Sequence, residues 1–245
     1  MDIAGMNRSA AFEPSVIRFD NAESMVAALA KKIVADLADG VRRKDAASFV
    51  ASGGTTPGLL FDALAACEAP WNRVFVTTTD ERWVSPEDDR SNEKLIRTRL
   101  LCGHASAASF VPLMTQHATP VEAEAEVDRA ISNMPRPFDV TLLGMGNDGH
   151  TASLFPGAKE LALALDLQSP SLVCAITPPD VAQTGPRMSL TLRAILASRA
   201  IIILIRGEEK MKTYRIAMAG ADANEMPVRA VLHQSTVPVE VYWSP

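Results

Sequence analysis

Hydrophobic positions along this chain fall into short apolar runs separated by longer amphipathic stretches, and the two alternate almost from end to end. Ser15 to Phe19 reads as a first strand. Asp20 then opens a helix, with Glu23 at the third helical position completing a capping-box-like pair. Met25, Leu29, Ile33, Val34 and Leu37 recur at helical spacing with charged residues between them. Ala46 to Ala51 is a second strand, ended by Ser52-Gly53-Gly54-Thr55-Thr56. Pro57 stands where a first helical turn tolerates proline, ahead of Leu59, Leu60 and Leu64. Arg73 to Thr79 is β-branched and alternating, a third strand that runs into Asp80-Glu81-Arg82-Trp83. Ser91-Asn92 can cap a helix ending near Leu101. Ser109 to Leu113 has the look of a short strand, and Pro120 to Asn133 of a polar, acidic helix.

The second half repeats the alternation. Phe138 to Leu143 is an apolar, β-branched run bounded by Pro137 and Gly144, which predicts a buried strand. Gly144, Gly146 and Gly149 then allow a loop whose backbone can approach a ligand closely. Asp148 and His150 sit on that loop, before Thr151 or Ser153 caps a short helix. Ser171 to Thr177 is another strand, stopped by Pro178-Pro179, and Leu190 to Leu196 fits strand or helix equally. Ala200 to Ile205 is a continuous Ile/Leu run of the kind buried on both faces. Gly207 opens a helix through Glu209, Lys210 and Tyr214. A helical turn at Val228 to Leu232 precedes a terminal strand, Val237 to Trp243. Strands alternating with helices predict an α/β fold, a single doubly wound, mostly parallel sheet with helices on both faces. No repeat, linker or break in composition divides residues 1–245, which read as one domain with a loose lead-in over 1–13.

Composition narrows the picture. Of 245 residues, 47% are hydrophobic and 22% charged, enough for an ordinary globular core. A net charge of -5 argues against a nucleic-acid partner, which would call for a basic surface, but leaves room for a local cationic pocket. Cys67, Cys102 and Cys174 are far apart and form no C-x-x-C pair, so neither a disulfide frame nor a metal site is indicated, and all three read as small core hydrophobes. There is no charged-then-apolar leader, and no apolar run nears the roughly 18 residues of a membrane span. A cytoplasmic protein without membrane contact is expected.

In open α/β sheets, ligands bind beyond the carboxyl ends of the strands. Polar and ionisable residues recur at those ends here: Ser52, Gly53, Gly54 and Thr55 after the second strand, Asp80, Glu81 and Arg82 after the third, and Asp148 and His150 after the central one. Arg187 follows the Ser171–Thr177 strand past a Pro-rich loop, and Lys210 follows the Ile-rich strand. The Ser52–Thr56 segment offers backbone N–H groups and hydroxyls ahead of a helix, either an anion cradle or an ordinary turn. It lacks the spacing of a Walker loop. Arg187 and Lys210 could complete a phosphate site or be solvated surface charges. In Asp80-Glu81-Arg82, one carboxylate could hold the arginine still or take part in chemistry. His150 alone of the four histidines lies on a glycine-rich strand-end loop, where it is either a general base or a partner of the local backbone. Gly144-x-Gly146-x-x-Gly149 also matches the dinucleotide fingerprint. It lies mid-chain, however, and Pro156 breaks the long helix that this fingerprint should enter, so that reading is rejected.

SGGTTP (52–57), DERWVSPEDDRSN (80–92), LGMGNDGHTASLFPG (143–157), PRMSLTL (186–192) and RGEEK (206–210) resemble the motifs of 6-phosphogluconolactonases, relatives of glucosamine-6-phosphate deaminases. The likeness runs from about residue 15 to the end, in the family's order. It implies hydrolysis of 6-phosphoglucono-δ-lactone to 6-phosphogluconate in the oxidative pentose phosphate pathway, with no cofactor or metal. It also implies roles: His150, Asp148 and Arg82 in catalysis, and Ser52, Gly53, Gly54, Thr55, Asp80, Gly144, Gly146, Arg187 and Lys210 in holding the phosphosugar lactone. Arg82 favours the lactonase branch, since the deaminases usually carry tyrosine there, while Asn147 and Arg206 depart from the commoner residues. A deaminase, and a non-catalytic sugar-phosphate-binding regulator, stay open as alternatives. A monomer or small homo-oligomer is expected.

Overall fold

The apolar runs form a sheet because only a sheet with both faces covered can bury every side chain in them. In the computed structural model, residues 14–245 are described, so the lead-in expected over 1–13 lies outside the described residues. The chain opens with β1 (Ser15–Arg18) and α1 (Ala22–Lys44), then β2 (Ala47–Ala51) and α2 (Gly58–Ala65). It continues through β3 (Val74–Thr78), β4 (Asp80–Arg82), α3 (Asn92–Arg99), β5 (Ser109–Phe110), α4 (Pro120–Ser132) and β6 (Val140–Leu143). The second half holds α5 (Leu161–Leu165), β7 (Val173–Ile176), α6 (Val181–Thr184), β8 (Arg187–Leu190) and α7 (Leu192–Leu196). It closes with β9 (Ile201–Arg206), α8 (Glu208–Ala219), α9 (Val228–Leu232) and β10 (Val239–Ser244).

Among the described residues, seven strands make the main sheet in the order β1-β10-β9-β6-β2-β3-β5, every neighbouring pair parallel. Successive residues of β9 serve opposite faces: Ile202 and Leu204 pack with Phe49, Val140 and the apolar stripe of α1, while Ile201, Ile203 and Ile205 pack with Val50, Val231 and Met211. Those two clusters are the core. Among the described residues no helix is long and apolar enough to cross a membrane.

The mostly parallel α/β sheet matches the expectation, but a second sheet was not expected. β4, β8 and β7 pair antiparallel in that order, so the Ser171–Thr177 strand joins this small sheet and stays out of the main one. The small sheet continues directly from β3: Thr79 N–H reaches Ala51 O at 2.9 Å, and Thr79 O accepts from Leu190 N at 2.8 Å. The ambiguous Leu190–Leu196 stretch divides at Thr191, whose hydroxyl accepts from Ala194 N at 3.3 Å and caps α7.

Several local expectations are corrected. The cap of α1 is Asn21, whose Oδ1 accepts from Ser24 N at 2.8 Å, so Asp20 and Glu23 form no capping box. Thr151 and Ser153 cap no helix. Their hydroxyls turn inward, donating to Gly144 O at 2.8 Å and to Asp80 Oδ2 at 2.5 Å, and the next helix starts only at Leu161. The strand expected to Leu113 ends at Phe110. Leu59 points to solvent, on the outer side of α2. Of the cysteines only Cys174 is buried, its thiol pushed up to about 12 by that burial with help from Glu124 and Glu160, whereas Cys67 is half-buried and Cys102 exposed.

Candidate active site

The carboxyl ends of β2, β6 and β9 and the strands β4 and β8 line a cavity of about 810 Å³. Of the strand-end residues singled out from the sequence, all but Glu81 line it: Ser52, Gly53, Gly54, Thr55, Asp80, Arg82, Gly144, Gly146, Asp148, His150, Arg187 and Lys210. Asn92, Ala152, Phe155, Asp180, Thr184 and Arg206 line it as well.

The order of the β4 side chains follows from strand geometry, in which alternate residues face opposite sides. Asp80 and Arg82 face the cavity. Glu81 faces away and is 1% exposed. It accepts the backbone N–H groups of Arg82, Asn92 and Glu93 at 2.7, 2.8 and 2.6 Å, so its carboxylate holds the N-terminus of α3. Neither carboxylate forms an ion pair with Arg82. Arg82 Nη1 instead donates to Arg90 O at 2.5 Å and Asn92 Oδ1 at 2.9 Å. Asn92, read from the sequence only as part of a cap, also donates to Asp80 O at 2.7 Å and lies so close to Gly53 that a Cβ there would meet its amide. Nothing in the local pattern signals that role, because Gly53 and Asn92 are brought together by tertiary packing alone.

His150 Nδ1 lies 2.6 Å from Asp148 Oδ1, which also accepts the His150 backbone N–H at 3.1 Å. Carriage of the ring proton on Nδ1 satisfies that contact and leaves Nε2 with its lone pair and no partner among the described residues. Burial pushes the Asp148 carboxyl up, but the hydrogen bond from His150 and its charge outweigh burial and hold it below the ordinary aspartate value. Phe155 flanks the imidazole with ring centroids 4.5 Å apart.

The cations are less well matched. Arg187 is 8% exposed, its Nε is buried without a hydrogen-bond partner, and it makes no ion pair among the described residues. It stands directly opposite Arg82 in the β4–β8 register, and the Arg82 Nε is also buried without a partner. Burial lowers the Arg187 pKa, with Asp80 opposing. Burial lowers that of Lys210 too, against Glu209 and Asp148. Two helix N-termini join these side chains. Among the described residues, α2 and α8 are the helices of eight or more residues that have no side-chain N-cap, and both begin at the cavity rim, next to Pro57 and Lys210. Apart from Gly58 N–H, which donates to Thr55 O at 3.4 Å, the N–H groups of these first turns and the unpaired cations are of the kind that suit a multiply charged anion. Across the mouth, Asn147 Nδ2 donates to Glu209 Oε1 at 2.7 Å and ties the His150 loop to α8. Among the described residues, no group of three or more His, Cys, Asp or Glu side chains could hold a metal ion.

Comparison with known proteins gives three findings of one kind. A model of the family described as glucosamine-6-phosphate isomerases/6-phosphogluconolactonase matches residues 20–243. A 6-phosphogluconolactonase of Rhizobium meliloti is 37% identical over 227 residues, covering 93% of this chain and 97% of that protein, and one of Caulobacter vibrioides is 40% identical over 92% of this chain and 95% of its own. The crystal structure of a 6-phosphogluconolactonase from Shewanella baltica superposes with a TM-score of 0.89 at 42% identity, covering 96% of this chain and all of the other.

Proposed function

The chain belongs to the glucosamine-6-phosphate isomerase/6-phosphogluconolactonase family, and on that premise we propose how its cavity carries out the reaction. The protein is a lactone hydrolase of the pentose phosphate pathway that converts 6-phosphogluconolactone to 6-phosphogluconate. Arg187, Lys210, the Ser52–Thr55 segment and the N-termini of α2 and α8 hold the phosphate, while Asp80 and the backbone at Gly144 and Gly146 flank the sugar ring. His150 Nε2 takes a proton from water, and the water oxygen bonds to the lactone carbonyl carbon. Asp148 keeps the imidazole in the tautomer this needs and steadies the imidazolium that forms. Arg82, or a backbone N–H of the Gly144–Gly149 loop other than those of Gly146 and Gly149, which are engaged within the loop, faces the oxyanion. The carbonyl re-forms as the bond to the ring oxygen breaks. That oxygen takes the proton back from His150, and the new acid ionises. We take the protein to act as one cytoplasmic domain, a monomer or small homo-oligomer, with no nucleic acid or membrane partner.

The observation that carries this reading is the Asp148–His150 pair at 2.6 Å, with Nε2 free toward a cavity lined by unpaired cations. His150→Ala is expected to lower kcat by about 10²-fold or more, the usual scale of general base catalysis. It is assayed beside wild type on the phosphorylated lactone, the unphosphorylated lactone and glucosamine 6-phosphate. Wild-type turnover by the variant would remove His150 from the chemistry. Ammonia released from glucosamine 6-phosphate would move the protein to the deaminase branch, and binding without turnover on all three would make it a regulator.

A further inference from the structure

One wall of the loop that carries His150 is a methionine from the far end of the chain. Gly149, at φ 80°, lies so close to Met226 that a Cβ built on it would stand 2.7 Å from both Met226 Cβ and Cε. The Gly149 carbonyl accepts the Val228 N–H at 2.9 Å. Side chain and backbone of one short segment therefore grip the residue directly before His150. Met226 is 8% exposed, packs in the core cluster that includes Met145 and Val228, and does not line the cavity.

That segment joins α8 to α9 and has no ladder of its own, so beyond Met226 N–H to Asp222 O at 3.3 Å and the bond to Gly149 its position depends on side chains. Arg229 supplies them. Its guanidinium is buried, donating to Asp222 O at 2.8 Å, Glu225 Oε2 at 2.9 Å and Ala217 O at 3.3 Å. Gly220 leaves the room it needs, for a Cβ there would overlap Arg229 Nη2. The brace runs from Arg229 through the connection to Met226, and from Met226 to Gly149.

We propose that Met226 is a positioning residue: it fixes the height of Gly149 and thereby the direction in which His150 Nε2 points. The inference rests on His150 being the base. A misplacement of about 1 Å at a reacting group can cost on the order of 10²-fold in rate, so a gap beneath Gly149 would be felt in turnover first. Met226 does not line the cavity that holds Arg187, Lys210 and the Ser52–Thr55 segment, so substrate binding would not be.

Met226→Ala is expected to lower kcat by about tenfold or more while KM for the phosphorylated lactone stays within about twofold. Met226→Leu, which refills the space, is expected to restore most of the rate. Melting curves establish that each variant is folded at the assay temperature. Combined with His150→Ala, Met226→Ala should cause no further loss, because both changes act on one group. A merely structural role would lower Tm and leave kcat per folded molecule unchanged. An inactive His150→Ala beside an unimpaired Met226→Ala, or a double variant that loses the full factor twice, overturns this inference alone. A fully active His150→Ala sinks the base assignment, and this inference with it.

Discussion

A Cβ on Gly146 would overlap both His150 Nδ1 and Asp148 Oδ1, so the acid–base pair sits directly on the spot a side chain would fill. That is why glycine stands there, at a backbone angle any residue could adopt. Asp148 is set to be ionised at neutral pH. Its carboxyl is held below its ordinary value, so the stabilisation from its hydrogen bonds with His150 is present above that ordinary value and is lost as pH falls through the lowered one. Lys210 is lowered too, which for a cation disfavours the charged form. Burial draws its ammonium below the ordinary 10.5, and Glu209 and Asp148 do not fully offset this. A phosphate dianion favours the charged form, so binding raises the Lys210 pKa and takes up protons wherever the free amine is partly neutral. Affinity for 6-phosphogluconate is therefore expected to weaken with rising pH at lower pH than an ordinary lysine would cause, and Lys210→Arg should remove that alkaline limb. Calorimetric titrations from about pH 7 to 10 read both. An identical limb in the arginine variant would assign it to another group.

Three consecutive charges in β4 show what an element can do that its residues cannot announce. Strand alternation sends Asp80 and Arg82 to the cavity and Glu81 to the N-terminus of α3, where it accepts the N–H groups of Asn92 and Glu93 besides that of Arg82 in its own strand. Glu81→Gln keeps the shape but turns one acceptor oxygen into an NH₂ facing donors. The expected cost is about 2–4 kcal/mol, since hydrogen bonds to a buried charge are lost and donors are left unpaired. Urea unfolding measures it, and a loss below ~1 kcal/mol would show that α3 holds without Glu81. Much of the main sheet is legible from sequence because each strand declares itself locally: Ile201 to Ile205 can only be a strand buried on both faces. The small sheet is not legible. β4 is three charged residues, and its partner β8 arrives more than a hundred residues later, so neither carries a local period that names the other. The outer edge of that sheet is equally hidden: Leu172, Ala175 and Thr177 give their N–H groups to Asp128, Glu124 and Glu160 at 2.6, 2.7 and 3.0 Å, carboxylates from α4 and the start of α5.

On the scale of the whole molecule, the chain has a net charge of -5 and yet places unpaired cations around its large cavity, and this has a consequence for stability. The candidate residues could be read because strand ends collect ligand contacts in any open α/β sheet. How they face one another could not, because the register that sets Arg187 beside Arg82 exists only once β4 and β8 pair. That register puts two arginines opposite each other, each with a buried Nε lacking a partner. In water each would be fully solvated, so folding carries a desolvation cost and a like-charge repulsion here that a bound phosphate offsets. Arg187→Met removes the cost and keeps most of the volume. The free variant is expected to be more stable than wild type by roughly 1–3 kcal/mol, the scale seen when buried charges give way to apolar side chains. It should also lose most of its stabilisation by ligand, which for wild type at about 100 times Kd is about 2.7 kcal/mol. Melting curves with and without 6-phosphogluconate give both quantities from one pair of proteins. Should the free Arg187→Met protein melt below wild type, Arg187 would be a part of the fold that phosphate happens to touch. A higher melting point together with a vanished ligand shift would mark it as a charge kept in the core for the substrate's sake.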